Sequence, residues 1–462
     1  MGLRNKIAQY KAQKRGVLHC TFNPEGPGVV RLHLVPPRFR LFQSSSYVLI
    51  LNGYYLLPVG YSWAVLLSSF MDAVNAYDGK EIGEEEQEKI FSNTLRTTCR
   101  VYPTADPATV KDDLLSMLDV LFSIAAGGEP DVEIEKLSIR AYARNMKAPH
   151  RMDLMVSAMT DENGAWKCNQ KCAFCYAAGQ PLGSTRELST AEWKTVIDKL
   201  RAAGVPMLTF TGGEPTLRND LPELIEHAKW FVTRLNTNGV CLTEELVAGL
   251  KAASLDSLQV TLYSSNEAVH NALVGSEHFA DTVRGIQNAV RAGLDVSVNT
   301  PLCKRNADYL ETLRFLQTLG VRFVTVSGLI CTGGANTRHQ DYDLSSNELY
   351  EIVAAAKAFC VAHGMEIDFT SPGLIEKERL EALGMNVPAC GAALSNMAIA
   401  PDGTVVPCQS WLGDADLGNI LEQPFKNIWK HPKCIALRGM REEESLSCPF
   451  RKQSKGGATN GK

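Results

Sequence analysis

The sequence has no apolar run able to span a bilayer. Its most apolar window, Tyr47 to Leu67, is broken by Asn52, Gly53, Pro58 and Gly60, short of the roughly 20 clean residues a spanning helix needs. A secretory signal is missing too. Arg4, Lys6, Lys11, Lys14 and Arg15 are followed by no hydrophobic stretch, so a cytoplasmic location is expected. Charge of one sign is also absent: a net charge of -4 gives no electrostatic reason to expect nucleic acid or an anionic membrane as partner. The thirteen cysteines are odd in number and spread over a long chain, which argues against a disulfide framework.

What is present describes a soluble globular protein, 45% apolar and 21% charged. At 462 residues it exceeds one ordinary core, and two to four domains are expected. Three of the thiols stand in one short stretch, Cys168-Asn-Gln-Lys-Cys172-Ala-Phe174-Cys175. Soft ligands on a tight loop suit iron in a cluster. A fourth thiol is lacking, and three ligands on a four-iron cube leave one iron open for another molecule. A zinc site, or a chance grouping in a cysteine-rich chain, is the alternative for the same triad. Cys20, Cys99, Cys241, Cys303, Cys331 and Cys360 lie in apolar or strand-like surroundings and read as ordinary buried thiols.

Up to about residue 40 the chain is basic and then Pro-rich, and no structure is assigned to it. Val48 to Leu51 and Tyr54 to Leu57 flank Asn52-Gly53, a strong hairpin signal. A helix follows with Trp63, Leu66, Leu67, Phe70 and Val74 at helical spacing, then an acidic one from Glu84 to Leu95. A third runs from Thr109 to Phe122, with Val110, Leu114, Leu118 and Leu121 on one face. Ala125-Ala-Gly-Gly-Glu-Pro130 marks a boundary, and Asp131 to His150 reads as a bridge. Strands are then expected at Asp153–Ser157, Met207–Thr211, Val232–Leu235, Ser257–Leu262, Asp295–Thr300 and Val321–Ser327, with a further candidate at Met365–Phe369. Helical stretches separate them, which argues for parallel βαβ units. The fold expected is α/β: a partial (β/α)6 barrel, an N-terminal α+β domain whose hairpin and three helices are similar to a winged helix, and a C-terminal extension. Domain limits fall at 1–130, 131–385 and 386–453, with a polar, disordered tail over 454–462.

The triad, with Phe174 before its last cysteine and Tyr176 after it, resembles the CxxxCxxC loop of the radical S-adenosylmethionine (radical SAM) enzymes. The resemblance implies a 4Fe-4S cluster whose free iron chelates S-adenosylmethionine (AdoMet), followed by reductive cleavage to a 5'-deoxyadenosyl radical. It also implies that Gly212, Gly213, Glu214 and Pro215, after the second strand, contact the methionyl amino group. Phe174 is expected beside the adenine. Asn236-Thr-Asn-Gly239 resembles the family's third-strand ending. Ser264 and Asn299 are expected near the ribose or carboxylate, and Ile330 against the adenine, although each also reads as an ordinary loop or packing residue.

Cys390, the Pro401-Asp-Gly403 turn and Cys408 resemble the first half of the SPASM/twitch extension, which houses auxiliary clusters. Only Cys434 and Cys448 remain beyond it, so one auxiliary 4Fe-4S cluster is expected, on Cys390, Cys408 and Cys448, with Cys434 the least secure ligand. The N-terminal hairpin and three helices are similar to the peptide-recognition domain that resembles the peptide chaperone of pyrroloquinoline quinone synthesis. There a leader peptide adds as a strand to the sheet edge. Together these imply a maturase of a ribosomally made precursor peptide, reduced by a donor such as flavodoxin or ferredoxin. A small-molecule radical dehydrogenase or cofactor-biosynthesis enzyme is the alternative.

Overall fold

The computed structural model describes residues 14–22, 29–38, 46–77, 80, 82–128, 135–161, 163–335, 342–413 and 416–449. The tail expected from Ser454 lies outside them. The chain divides into two compact units, Met1–Ala148 with Arg201–Pro206, and Pro149–Leu200 with Met207–Lys462. Most of the stretch read as a bridge therefore groups with the first unit.

In the first unit, β1 (Leu18–Phe22), β2 (Val30–Val35), β3 (Tyr47–Leu51) and β4 (Tyr55–Val59) form an antiparallel sheet in sequence order. The Asn-Gly hairpin joins β3 and β4, with Asn52 and Gly53 at φ of +49° and +75°. Asn52 also holds β2. Its side-chain oxygen accepts the Arg31 N–H at 2.7 Å, and its amide donates to the Val29 carbonyl at 3.0 Å. Three helices follow: α1 (Tyr61–Asn75), α2 (Glu84–Val101) and α3 (Pro107–Ala125). Asp106 caps α3, with Pro107 opening its first turn. The core joins Cys20, Leu32, Leu34, Leu49, Leu51 and Leu57 to Leu67, Phe70, Met71, Ile90, Val110, Leu114, Leu118 and Leu121. Trp63, expected on the inner face of α1, is 42% exposed.

The outer edge of β4 is taken by the same unit. Leu137 donates its N–H to the Leu56 carbonyl at 2.8 Å, and the Lys136 ammonium lies 4.7 Å from the Tyr55 ring centre. Pro58 offers no N–H there.

In the second unit, strands and helices alternate: β5 (Arg151–Ser157), α4 (Thr190–Ala203), β6 (Met207–Gly212), α5 (Leu221–His227), β7 (Val232–Thr237), α6 (Glu244–Ala252) and β8 (Ser257–Thr261). Then come α7 (Glu267–Val274), α8 (Phe279–Arg291), β9 (Asp295–Pro301), α9 (Tyr309–Thr318), β10 (Phe323–Ser327), α10 (Ser346–Ala362) and β11 (Glu366–Phe369). Strands β5 to β11 are parallel and neighbours in order. The six expected strands are thus present, and the further candidate is a seventh. Strand β12 (Asn396–Ile399) extends the sheet parallel to β5, and β13 (Val405–Val406) folds back on it through the Pro-Asp-Gly turn.

Burial alternates along the strands. Leu258, Val260, Val296, Val298, Val324 and Val326 are buried, while Gln259, Ser297, Asn299 and Thr325 are half-buried on the other face. That face is tied together by side chains: Arg234 to Ser297 at 3.2 Å, Gln259 to Thr325 at 3.0 Å, and Thr325 to Asn299 at 3.0 Å. Among the described residues no helix is long and apolar enough to cross a membrane.

Candidate functional site

The cysteine loop leaves β5 and is held by backbone hydrogen bonds on two sides. Lys171 and Ala173 donate to the Val274 and Leu273 carbonyls at the end of α7, each at 2.8 Å, and Cys175 accepts from Gly334 after β10 at 2.8 Å. A side chain at Gly334 would sit 2.7 Å from the Ala173 carbonyl, so only glycine permits this approach. The loop thus lies at the C-terminal ends of the parallel strands, where such sheets place their chemistry.

Its three thiols are close enough to feel one another. Burial pushes Cys168 up to about 12 and Cys172 well above the ordinary thiol range, and each is raised further by charge on its neighbours. Cys175 is likewise raised by burial. Three thiolates here call for positive charge, which a metal centre supplies on binding. Among the described residues no three His, Cys, Asp or Glu side chains converge on one point as around a single ion. A four-iron cube takes one thiolate per corner, and its donors stand wider apart, so an all-thiol set of this kind fits a cluster.

Beside the loop, β6 ends in Gly212-Gly213-Glu214-Pro215. Gly212 has a φ of +143°, and a side chain at Gly213 would meet the Ala158 carbonyl at 2.7 Å and the Cys168 Cβ at 3.6 Å. The glycines therefore let this strand end approach the first cysteine. The Glu214 carboxylate is buried and held by four hydrogen bonds, three on Oε1 and one on Oε2. It accepts from the Thr216 N–H at 3.0 Å, the Thr216 hydroxyl, the Thr237 hydroxyl at 2.6 Å and the Asn238 N–H at 2.8 Å. Burial raises it above the usual carboxylate range against the pull of those bonds. Asn238 continues the link, donating its side-chain amide to Asn169 at 2.6 Å. Cys241, read as an ordinary thiol, lies 3.7 Å from the Asn169 amide nitrogen.

Phe174 packs with Tyr263, Leu273, Val274, Cys303 and Leu329, and Tyr342 meets its edge at a ring distance of 5.2 Å. Ile330, one position beyond Leu329, is half-buried and outside this cluster. Ser264 is buried, and its hydroxyl accepts the Asn266 N–H at 3.0 Å. Asn299 sits on the adjacent strand, β9, on the polar face, its side-chain oxygen held by Thr325 at 3.0 Å. Nothing in the sequence pattern pointed to Asn169, Thr237, Asn238 or Leu329 by role, although Asn236-Thr-Asn-Gly239 stood out as a strand ending.

The second group of cysteines is gathered by the β12–β13 hairpin. Ala393, three residues after Cys390, donates to the Pro407 carbonyl at 2.9 Å, and Cys390 donates its N–H to Ser445 at 2.6 Å. Burial pushes Cys408 up to about 11, with Cys390 and Cys448 adding to the rise. Cys434 stands apart. It is fully buried on the helix Pro432–Arg438, and the charges it feels are those of Arg438 and Lys433.

Comparison with known proteins follows this division. The radical SAM superfamily matches residues 167–316, and the SPASM iron-sulfur cluster-binding domain matches residues 390–450. The AdoMet-dependent heme synthase of Methanosarcina barkeri (strain Fusaro / DSM 804) is 28% identical over 62% of this chain and 88% of its own. Mycofactocin maturase MftC of Mycolicibacterium smegmatis is 30% identical over 61% of this chain and 71% of its own. Among solved structures, Streptococcus suis SuiB bound to precursor peptide SuiA superposes with a TM-score of 0.58 at 15% identity, covering 88% of this chain and 91% of that one. The chain belongs to the radical SAM superfamily: it is an enzyme of the 4Fe-4S cluster and AdoMet, with a C-terminal SPASM domain for auxiliary iron-sulfur chemistry.

Proposed function

We propose that the enzyme modifies a ribosomally made precursor peptide, with the first unit binding the leader and the second abstracting hydrogen from the core. The observation that carries this reading is coverage. A fold shared with SuiB over 88% of the chain must extend into the first unit, which a chain built only to cleave AdoMet does not need. MftC, a maturase by name, is among the relatives at 30% identity. The outcome on peptide could be a crosslink, an epimerisation or a related change. Reducing electrons would come from a flavodoxin- or ferredoxin-type donor.

Cys168, Cys172 and Cys175 hold the radical cluster in this reading, and Cys390, Cys408 and Cys448 hold one auxiliary cluster. When bound, the first cluster supplies the electron that cleaves AdoMet to a 5'-deoxyadenosyl radical. The chain's own part is orientation. With the Glu214 carboxylate engaged internally, the backbone of Gly212 to Pro215 receives the methionyl amino group. Phe174 and Leu329, with Ile330 beside them, cover the adenine. Ser264 and Asn299 serve the carboxylate and ribose.

A second reading, a tetrapyrrole-modifying enzyme, is favoured by the heme synthase and by the Fe-coproporphyrin III synthase of the same organism, 27% identical over 61% of this chain. One experiment separates them. The anaerobically reconstituted enzyme is reduced with AdoMet and either a precursor peptide encoded beside its gene or iron-coproporphyrin III. Deoxyadenosine release coupled to a mass change in the peptide supports the proposal; a change in the porphyrin alone overturns it.

A further inference from the structure

The two aromatic residues flanking Cys175 point into different surroundings. Phe174 enters the cluster with Tyr263 and Leu329, on the side assigned to AdoMet. Tyr176 enters another, formed by Met155, Met159, Ala398, Val406 and Leu412, with Cys168, Cys175 and Trp411 packed against it. Val406 and Leu412 bracket Cys408 in sequence, and Trp411 donates its N–H to the Cys408 carbonyl at 2.8 Å. Tyr176 therefore lies in the wall between the two groups of cysteines.

Its hydroxyl is buried there and has no hydrogen-bond partner among the described residues. After burial, Cys175 is felt most strongly, then Thr211, Asp153 and Cys408, and Thr211 stands outside hydrogen-bond geometry. The Asp153 carboxylate is already paired with Arg151 at 2.8 Å. A buried O–H left over by the polypeptide calls for an acceptor that the polypeptide does not supply. Sulfur of an iron-sulfur cluster is such an acceptor, and hydrogen bonds to cluster sulfur help set its reduction potential.

We propose that the Tyr176 hydroxyl donates a hydrogen bond to a sulfur of the auxiliary cluster, the Cys408 thiolate or a bridging sulfide, and so raises that cluster's reduction potential. The bond stabilises the reduced state, which carries more negative charge. It also ties the loop of the radical cluster to the auxiliary site through one residue. The inference rests on the auxiliary cluster assigned to Cys390, Cys408 and Cys448.

The test uses the full chain with Cys168, Cys172 and Cys175 all changed to alanine, so that remaining iron belongs to the auxiliary site. Iron and sulfide are quantified, and the cluster is titrated by EPR with and without Tyr176→Phe. The expected result is unchanged iron and an oxidised-to-reduced ratio at fixed potential about tenfold higher in the phenylalanine variant, a fall of about 59 mV for a one-electron couple. A loaded cluster with unchanged potential overturns the hydrogen bond. Iron absent from the triple-alanine chain overturns the auxiliary-cluster assignment and the proposal with it. Should Tyr176→Phe lose the cluster, proton ENDOR of the reduced auxiliary cluster in the parent chain decides. An exchangeable proton coupled to it, lost in deuterium oxide, supports the bond, and its absence refutes it.

Discussion

The Glu214 carboxylate accepts the backbone N–H of Asn238 at 2.8 Å, and the Asn238 side chain reaches Asn169, the residue after Cys168, at 2.6 Å. One buried anion thus fixes the ends of β6 and β7 together and, through an amide, the start of the cysteine loop. Three of its four bonds fall on Oε1, which fixes that oxygen in place, while Oε2 accepts one and keeps a further acceptor site.

Removing that carboxylate strands several buried donors. Glu214→Ala is expected to lower the stability of the apo chain by about 3 kcal/mol, the cost of leaving two or more such groups unpaired. Glu214→Gln, which keeps one carbonyl oxygen, loses less. Urea unfolding of both variants measures this, and equal stability of wild type and Glu214→Ala would show that the bridge carries no weight.

Gly213→Ala places a methyl group 2.7 Å from the Ala158 carbonyl. The strand end must move away from the cysteine loop, and AdoMet binding to the reconstituted enzyme is expected to weaken more than about tenfold, or 1.4 kcal/mol. Titration of AdoMet against the EPR spectrum of the reduced cluster reads the affinity. Wild-type affinity would contradict the cradle described for this glycine.

The C-terminal cysteines divide by environment, and iron analysis tests the division. Cys408→Ala should lose about half of the iron, one cube of two. Cys434→Ala should retain all of it and lose only about 1 kcal/mol of packing. Loss of iron from the Cys434 variant would return that thiol to the ligand set.

His270 gives a pH dependence. It is fully buried, its Nδ1 accepts the Tyr263 N–H at 3.3 Å, and burial pushes its imidazole down to about 4. With the folded value below the unfolded one of about 6.5, its stabilisation is complete above pH 6.5 and is lost as pH falls towards 4, because the unfolded chain takes the proton first. Between pH 7.5 and 5.5 the wild-type apo chain should lose about 1.4 kcal/mol more than His270→Gln. Parallel losses would mean that the ring is protonated in the fold.

Local signals made much of this legible in the sequence. Asn52-Gly53 announced its hairpin because the left-handed turn leaves few other residues a choice, and the apolar spacing of α3 matched its buried face. The triad and the glycine pair were visible because the chemistry needs those residue types close together in the chain. What was hidden depended on partners distant in sequence. Strands β1 and β2 are short and lie among basic and Pro-rich stretches, and β2 is registered partly by the side chain of Asn52, 21 residues from Arg31. Helix α2 runs to Val101, beyond the expected Leu95, because Thr94 and Thr98 are buried although polar. At the site, Glu214 finds Thr237 and Asn238 across a strand and a helix. The apolar residue of this turn that packs in the Phe174 cluster is Leu329, while Ile330, expected against the adenine, is half-buried outside that cluster.

The Leu137–Leu56 hydrogen bond at the margin of the first sheet carries a further consequence. If a leader peptide adds as a strand at this edge, as the proposed function would have it, it must displace a segment the protein already holds there. Its affinity there would then be the intrinsic one scaled by the fraction of molecules in which that hydrogen bond is open. Together with Pro58, which lacks an N–H, the same contact leaves fewer unpaired backbone groups along that edge.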